Sequence, residues 1–181
     1  DYGKIYEGRY PVLRKAFEKG WERDLPEIAD FGEENYSCLR DYALYMALKD
    51  HFEGKPWYEW DEELKVRQPD ALSHARLKLW KEMDFYSFVQ YLFDRQWTAL
   101  RVYAREHGIS IIGDVPIYVP LDSADVWSNP ELFQLDEDLN PTGVAGCPPD
   151  AFSEDGQLWG NPLYRWEDME KDGFAWWLKR L

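Results

Sequence analysis

Apolar residues recur at helical spacing through the first two-thirds of the chain. Leu13, Ala16 and Phe17 form one stripe before Gly20, and Leu25, Ile28 and Phe31 form another before Gly32, so two short helices are predicted. From Tyr36 to about Phe52, Leu39, Tyr42, Ala43 and Met46 continue the period, and Gly54, Lys55 and Pro56 stop it. A long amphipathic pattern then runs from Pro69 to His107, carried by Leu72, Leu79, Met83, Tyr86, Val89, Leu92, Phe93, Trp97, Leu100 and Ala104. Gly108 ends it as a C-cap residue. Between these helices lies PWYEWDEEL, whose Trp57, Tyr58 and Trp60 suit either a platform for a sugar or a cap on a small helical core.

The pattern changes at Ile109. Ile109 to Val119, ISIIGDVPIYV, is apolar, β-branched and without helical period, which predicts a buried strand of parallel type. A helix, a short turn and such a strand form the unit of an α/β fold. Asp114 within it is either a carboxylate satisfied by backbone amides or, with Tyr118, part of a site at the strand's working end. One parallel strand needs neighbours, so the rest of the sheet is expected outside this chain, unless short pieces such as Gln134 to Leu135 substitute weakly. The division that follows is a mainly helical segment over 1–107 and a strand, loop excursion and helix over 108–181.

In the excursion, LDSADVW predicts a short helix with Asp122 or Ser123 as N-cap, Asn129-Pro130 breaks it, and Gln134 to Thr142 reads as a turn between two extended pieces. Gly146 to Tyr164, GCPPDAFSEDGQLWGNPLY, reads as an irregular loop with Pro148 and Pro149 stiffening its entry and Gly156 and Gly160 as joints. Its Asp150, Phe152, Gln157, Trp159 and Asn161 combine carboxylate, amide and aromatic groups. That mixture suits a pyranose, which shows an apolar C–H face to a ring and a fringe of hydroxyls to amides and carboxylates. A surface loop with a buried tryptophan is the plainer alternative. A last helix begins at Trp166 or Glu167, with Met169, Phe174, Trp177, Leu178 and Leu181 apolar, and is expected to run to the final residue.

Composition narrows the partners. Among 181 residues, 35 acidic against 21 basic side chains leave a net charge of −14, which disfavours nucleic acid and anionic membrane and leaves a neutral ligand as the better fit. Ten tryptophans and twelve tyrosines exceed what packing alone needs. Two cysteines make no disulfide framework, no apolar run approaches the ~20 residues of a membrane span, and no signal peptide opens the chain, so a soluble, cytoplasmic protein is expected. His51, His74 and His107 sit in polar helical contexts, and no spacing supports a metal site or a cofactor. With no initiator Met and no marked exit, the chain reads as a piece of a longer protein.

The runs IIGDVPIYV, LDSADVW, NPELFQLDEDLNPTGVAGCPPD, FSEDGQLWGNPLYRW and DGFAWWLKRL closely resemble the 4-alpha-glucanotransferases, also called amylomaltases or disproportionating enzymes, of glycoside hydrolase family 77. DYALYMALKDHFEGKPWYEW and FYSFVQYLFDRQW extend the resemblance over nearly the whole chain. It implies an internal portion of a (β/α)₈ barrel with a mostly helical insertion, and transfer of alpha-1,4-glucan segments to a glucose or maltooligosaccharide acceptor by retaining double displacement. It implies no catalytic residue here, because the family's nucleophile lies in an arginine-isoleucine-aspartate-histidine segment beyond the WWLKRL helix and its other carboxylates lie further on. By similarity Asp150, Phe152, Gln157, Trp159 and Asn161 belong to a loop overhanging the cleft, Gln157 and Trp159 face the acceptor, and Asp114 lies on the strand below. Ala151 stands where several relatives carry tyrosine. A stand-alone carbohydrate-binding module and a non-catalytic helical interaction domain are the alternatives from other classes. A barrel strand without neighbours would leave the isolated polypeptide marginal in stability or prone to aggregate.

Overall fold

A computed structural model describes residues 2–180, with Tyr2 and Tyr6 described by backbone alone. The chain forms two compact units. One is drawn from the residues up to Glu53 together with Pro69–Ile112, the other from Gly54–Gln68 together with the residues from Gly113 onward.

The first unit is helical. It contains α1 (Tyr2–Gly20), α2 (Leu25–Glu34), α3 (Tyr36–His51), α5 (Pro69–Lys78) and α6 (Trp80–Glu106). Ala43, Leu44, Ala47 and Leu48 make a buried stripe on α3, and Phe85, Phe88 and Tyr91 make one on α6, so these two helices share the core. α1 adds Phe17, whose ring meets Phe85 at 5.7 Å and Phe88 at 5.6 Å. Gly20 ends α1 against Phe88, where a Cβ would come within 3.3 Å of the ring. The polar groups at this core are paired. Tyr86 donates its hydroxyl to Asp50 at 2.7 Å, and Arg14 lies over Phe85 at 3.6 Å while bridging Asp50 and Glu82. Burial, followed by the Asp50 bond, pushes the Tyr86 phenol far up, so it stays a donor.

The second unit contains α4 (Glu62–Lys65), α7 (Ala124–Ser128), β1 (Val144–Cys147), β2 (Gln157–Pro162), α8 (Trp166–Lys171) and α9 (Ala175–Arg180). Three buried indoles, Trp57, Trp60 and Trp127, tie it together, and each of the three finds a carbonyl for its N–H. Trp57 donates to Leu121 O at 2.7 Å, Trp60 to Lys55 O at 3.0 Å, and Trp127 to Leu64 O at 3.0 Å. Trp60 meets Trp127 edge-on at 5.6 Å, and the Arg67 guanidinium covers Trp127 at 4.3 Å. Ser123, one of the two N-caps that LDSADVW allows, caps α7 by accepting from Val126 N. Around the bridge Phe133↔Tyr164, Gln134 N donates to Leu163 O and Arg165 N to Leu132 O, prolonging the pairing line beyond β2. Tyr164 is the hub here. Its ring lies within 6 Å of Tyr118, Phe133, Trp166, Trp176 and Trp177, and its hydroxyl donates to Ile117 O at 2.8 Å.

Several expectations differ from what the chain does. The segment from Ile109 to Val119 forms no strand, because a parallel strand needs ladder partners and this chain offers none among the described residues; Ile112 is 96% exposed. Asp114 is accordingly exposed rather than buried. The sheet that does form is two-stranded and antiparallel, with Gly146 opposite Leu158 and Cys147 opposite Gln157. The stretch from Gly146 to Tyr164 is therefore not loop throughout. The first helix is not short but runs over 19 residues, with Pro11 inside it. The pattern from Pro69 to His107 is two helices, broken at Leu79 without glycine or proline, while Leu79 N still donates to Ala75 O and Leu79 O still accepts from Met83 N. The last helix is also two, because Gly173 and Phe174 take positive φ and Phe174 N donates back to Met169 O. Leu181 and the expected run to the final residue lie outside the described residues. Trp57 and Trp60 are buried, so of the PWYEW aromatics only Tyr58 keeps an exposed ring; the two indoles pack within the second unit rather than capping the helical core.

Tyr164→Ala should lower stability by about 3–5 kcal/mol, because it empties a ring-lined site, whereas Tyr164→Phe, which removes only the hydroxyl that meets Ile117 O and Arg180, should cost about 1–3 kcal/mol. Urea unfolding of the protein followed by tryptophan fluorescence distinguishes the two.

Candidate functional site

The hairpin β1–β2 and the segment 148–156 joining its strands form a flap. Its closure depends on two glycines. A Cβ at Gly146 would lie 2.5 Å from Gln157 O, and one at Gly156, which has φ +74°, would lie 2.5 Å from Cys147 O. Within the turn, Asp150 Oδ1 accepts from Phe152 N and Ser153 N, both at 2.8 Å, and Asp150 N donates to Ser153 O at 2.9 Å. Ser153 Oγ closes the other side by donating to Gly156 O at 2.7 Å. This turn holds Phe152 outward, 95% exposed.

At the base of the flap, Trp159 and Gln157 act as a pair on one face of β2. The indole N–H donates to Gln157 Oε1 at 3.0 Å, which fixes the ring edge and leaves the amide nitrogen of Gln157 as a donor. Trp159 is 49% exposed and lies 6.1 Å from Tyr118. Tyr118 in turn stacks on Tyr164 at 5.9 Å with 12° between the planes. Asn161 donates its amide to Val119 O at 2.9 Å, so that side chain anchors β2 to the segment carrying Tyr118. Arg180 reaches Pro116 O at 3.4 Å. Burial pushes the Tyr164 phenol up, opposed by Arg180, and it remains protonated to donate to Ile117 O.

The structure thus brings Tyr118, Gln157, Trp159 and Asn161 together. Asp150 and Phe152 stand on the turn at the far end of the same hairpin, with the Asp150 carboxylate engaged by backbone amides. Among the described residues, no hydrogen bond, ion pair or ring contact joins Asp114 to this group. Ser153 and Tyr164 were not foreseen as parts of the site. Ser153 had a visible signal, since Asp150 followed three residues later by serine and then by Gly156 is turn chemistry. Tyr164 had none, because the contacts that make it a hub, with Ile117, Tyr118 and Phe133, are long-range. No group of three or more His, Cys, Asp or Glu side chains with metal-binding geometry occurs among the described residues.

The family model of the 4-alpha-glucanotransferases, glycoside hydrolase family 77, matches residues 1–181. A 4-alpha-glucanotransferase of Aquifex aeolicus is 56% identical over 180 residues, covering 99% of this chain and 36% of the relative. One from Thermus thermophilus is 50% identical over 185 residues, covering 100% of this chain and 37% of the relative. The structure of amylomaltase from Streptococcus agalactiae in complex with acarbose superposes with a TM-score of 0.93 at 44% identity, covering 99% of this chain and 37% of that one. The chain therefore spans little more than a third of the length of the relatives it matches. With a match along its whole length and identities of half or more, this chain belongs to glycoside hydrolase family 77, the 4-alpha-glucanotransferases.

Proposed function

We propose that the chain is the glucan-holding portion of a cytoplasmic 4-alpha-glucanotransferase, which moves alpha-1,4-glucan segments to a glucose or maltooligosaccharide acceptor. The flap carries the proposal: Phe152 and Trp159 present unpacked aromatic surface on a hairpin made rigid by its own hydrogen bonds. Rigid aromatic surface beside fixed polar groups is what a neutral sugar requires, and it costs little ordering when the ligand arrives. Trp159 offers its face to a pyranose, and the Gln157 amide offers an N–H to a hydroxyl oxygen. Asp150 acts first as the strut that holds Phe152 out. Asn161 acts as an anchor for β2, and Tyr118 backs the indole. Asp114, exposed in the segment before Tyr118, joins the site only as that segment acquires its neighbours.

In retaining transfer a carboxylate forms a covalent glycosyl intermediate, a second carboxyl group about 5–5.5 Å away protonates the leaving oxygen, and an acceptor hydroxyl then replaces water. Those two groups belong, on this proposal, to the part of the protein outside these 181 residues. The flap's contribution is partition. An apolar surface that excludes water while seating the acceptor favours transfer over hydrolysis of the intermediate.

The (β/α)₈ barrel with a helical insertion is the architecture we propose for the whole. Ile109, Ile111, Ile112 and Ile117 are exposed where a barrel strand would be flanked on both sides, and the second half of α6 exposes Phe93, Trp97, Leu100 and Tyr103. Such surfaces fit a strand and helix that pack against further repeats of the same unit. Cys38 and Cys147 are both free thiols, in keeping with a reducing compartment.

In the full-length protein, Trp159→Ala should raise the ratio of released glucose to transferred chains several-fold, read by chromatography of the products of a maltotriose reaction; an unchanged ratio refutes the flap's part in partition. Gly156→Ala should slow transfer about tenfold or more by forcing the turn apart, since the left-handed backbone and the Cys147 carbonyl both oppose a Cβ. Initial rates of transfer check this, and circular dichroism shows that the protein outside the flap remains folded.

A further inference from the structure

A hollow of about 560 Å³ opens in the second unit beside Trp166, and none of the residues lining it belongs to the flap. Its volume falls within the range of about 300–1,000 Å³ usual for small-molecule sites. Trp166 is 47% exposed. The indole is held by neighbouring rings, stacked on Trp177 at 5.9 Å with 16° between the planes and meeting Tyr164 at 5.0 Å. An indole braced in this way offers a flat surface without loss of rotamer freedom on binding.

The walls are equally fixed. Arg165 donates from Nε to Phe133 O at 2.6 Å and from a terminal nitrogen to Leu135 O at 2.9 Å, so the scaffold fixes its direction while its charge stays in the wall. Gln134 donates its amide to Tyr164 O at 2.9 Å, which leaves its Oε1 as an acceptor. Thr142 donates its hydroxyl to Gln134 O at 3.1 Å and keeps the oxygen as an acceptor. Glu167 and Asp168 complete the lining, and Lys171 beside Asp168 holds that carboxylate below its ordinary range, so it is an acceptor at neutral pH. Around one indole, the Arg165 and Lys171 charges offset the Glu167 and Asp168 carboxylates, and the acceptors at Gln134, Thr142 and the two carboxylates give a neutral ligand rich in hydroxyls the complementary pattern.

We infer that this hollow is a second carbohydrate site, which holds a glucan chain by stacking one pyranose on Trp166 and accepting hydroxyl hydrogen bonds at Glu167, Asp168 and Thr142. The identity of the sugar rests on the proposed function, whereas the site itself rests on the hollow and its chemistry. Its use would be retention. A polymer gripped there stays near the protein between turnovers, which raises the effective concentration of chain ends.

The test is affinity electrophoresis of the full-length protein through native gels containing glycogen. Trp166→Ala should weaken retardation at least fivefold, about the loss expected when one sugar–aromatic stack is removed, and Glu167→Gln should weaken it by a smaller factor. Trp166→Phe, which keeps a ring, should recover part of the loss. Retardation of Trp166→Ala equal to that of the unaltered protein overturns the inference, and so does an unaltered protein that glycogen does not retard. If Trp166→Ala melts, as judged by circular dichroism, Glu167→Gln and Thr142→Val decide, and full retardation in both overturns it. The partition ratio in the Trp159→Ala protein is read separately, so the hollow can fail while the flap stands, and the reverse.

Discussion

One side chain holds the second unit to its purpose. Tyr164 is almost wholly buried at the end of the hairpin, with its hydroxyl on Ile117 O and its carbonyl accepting from the Gln134 amide. Its ring is the common neighbour of Tyr118, Phe133, Trp166, Trp176 and Trp177. The segment before the excursion, the turn over Gln134 to Thr142, the base of the flap and the last two helices therefore meet at one residue. A buried phenol is suited to this because it fills volume as an aromatic ring and still satisfies a distant carbonyl, a combination phenylalanine does not offer. Raising its pKa by burial keeps the proton that the bond needs.

Around that hub the chain separates rigidity from contact. Hydrogen bonds within the flap go largely to its own backbone, through Asp150 and Ser153, so the groups left over are the Phe152 ring, the Trp159 face and the Gln157 amide nitrogen. The same separation is visible at Trp166, where Arg165 and Gln134 serve the scaffold and carboxylates line the opening. Polar groups spent internally fix geometry, and the few left over confer specificity. The helical unit serves a different end. Its charged groups, Arg14 with Asp50 and Glu82, and Arg76 with Asp41, join one helix to another, and they accompany a core of mixed aromatic and aliphatic side chains.

Much of this was legible in the sequence. The existence of α2 and α3, a cap at Asp122 or Ser123, the break at Asn129-Pro130 and the turn between Gln134 and Thr142 follow from local chemistry, although α2 runs through Gly32 instead of stopping before it. The family was legible too, through runs that span the chain. The kink at Leu79 was not, since no breaker marks it and the apolar period continues across it. The stop between α8 and α9 carried a signal in Asp172-Gly173 that helical periodicity concealed. The strand expected over Ile109 to Val119 marks the deeper limit. Its composition is that of a buried strand, but burial and pairing are relations with other strands, and composition does not supply them.

The flap shows where local and long-range determinants part. Sequence alone determined that a turn-rich stretch from Gly146 to Tyr164 carries aromatics, amides and a carboxylate, because residue types and glycine positions are local facts. Only the tertiary structure decided that Gln157 holds the Trp159 indole, that Asn161 pins Val119, that Asp150 braces its own turn, and that Trp57 and Trp60 belong to a core. The reason is physical. A side chain with hydrogen-bonding capacity is spent on whichever partner the fold brings within about 3 Å, and that choice is made by contacts distant in sequence.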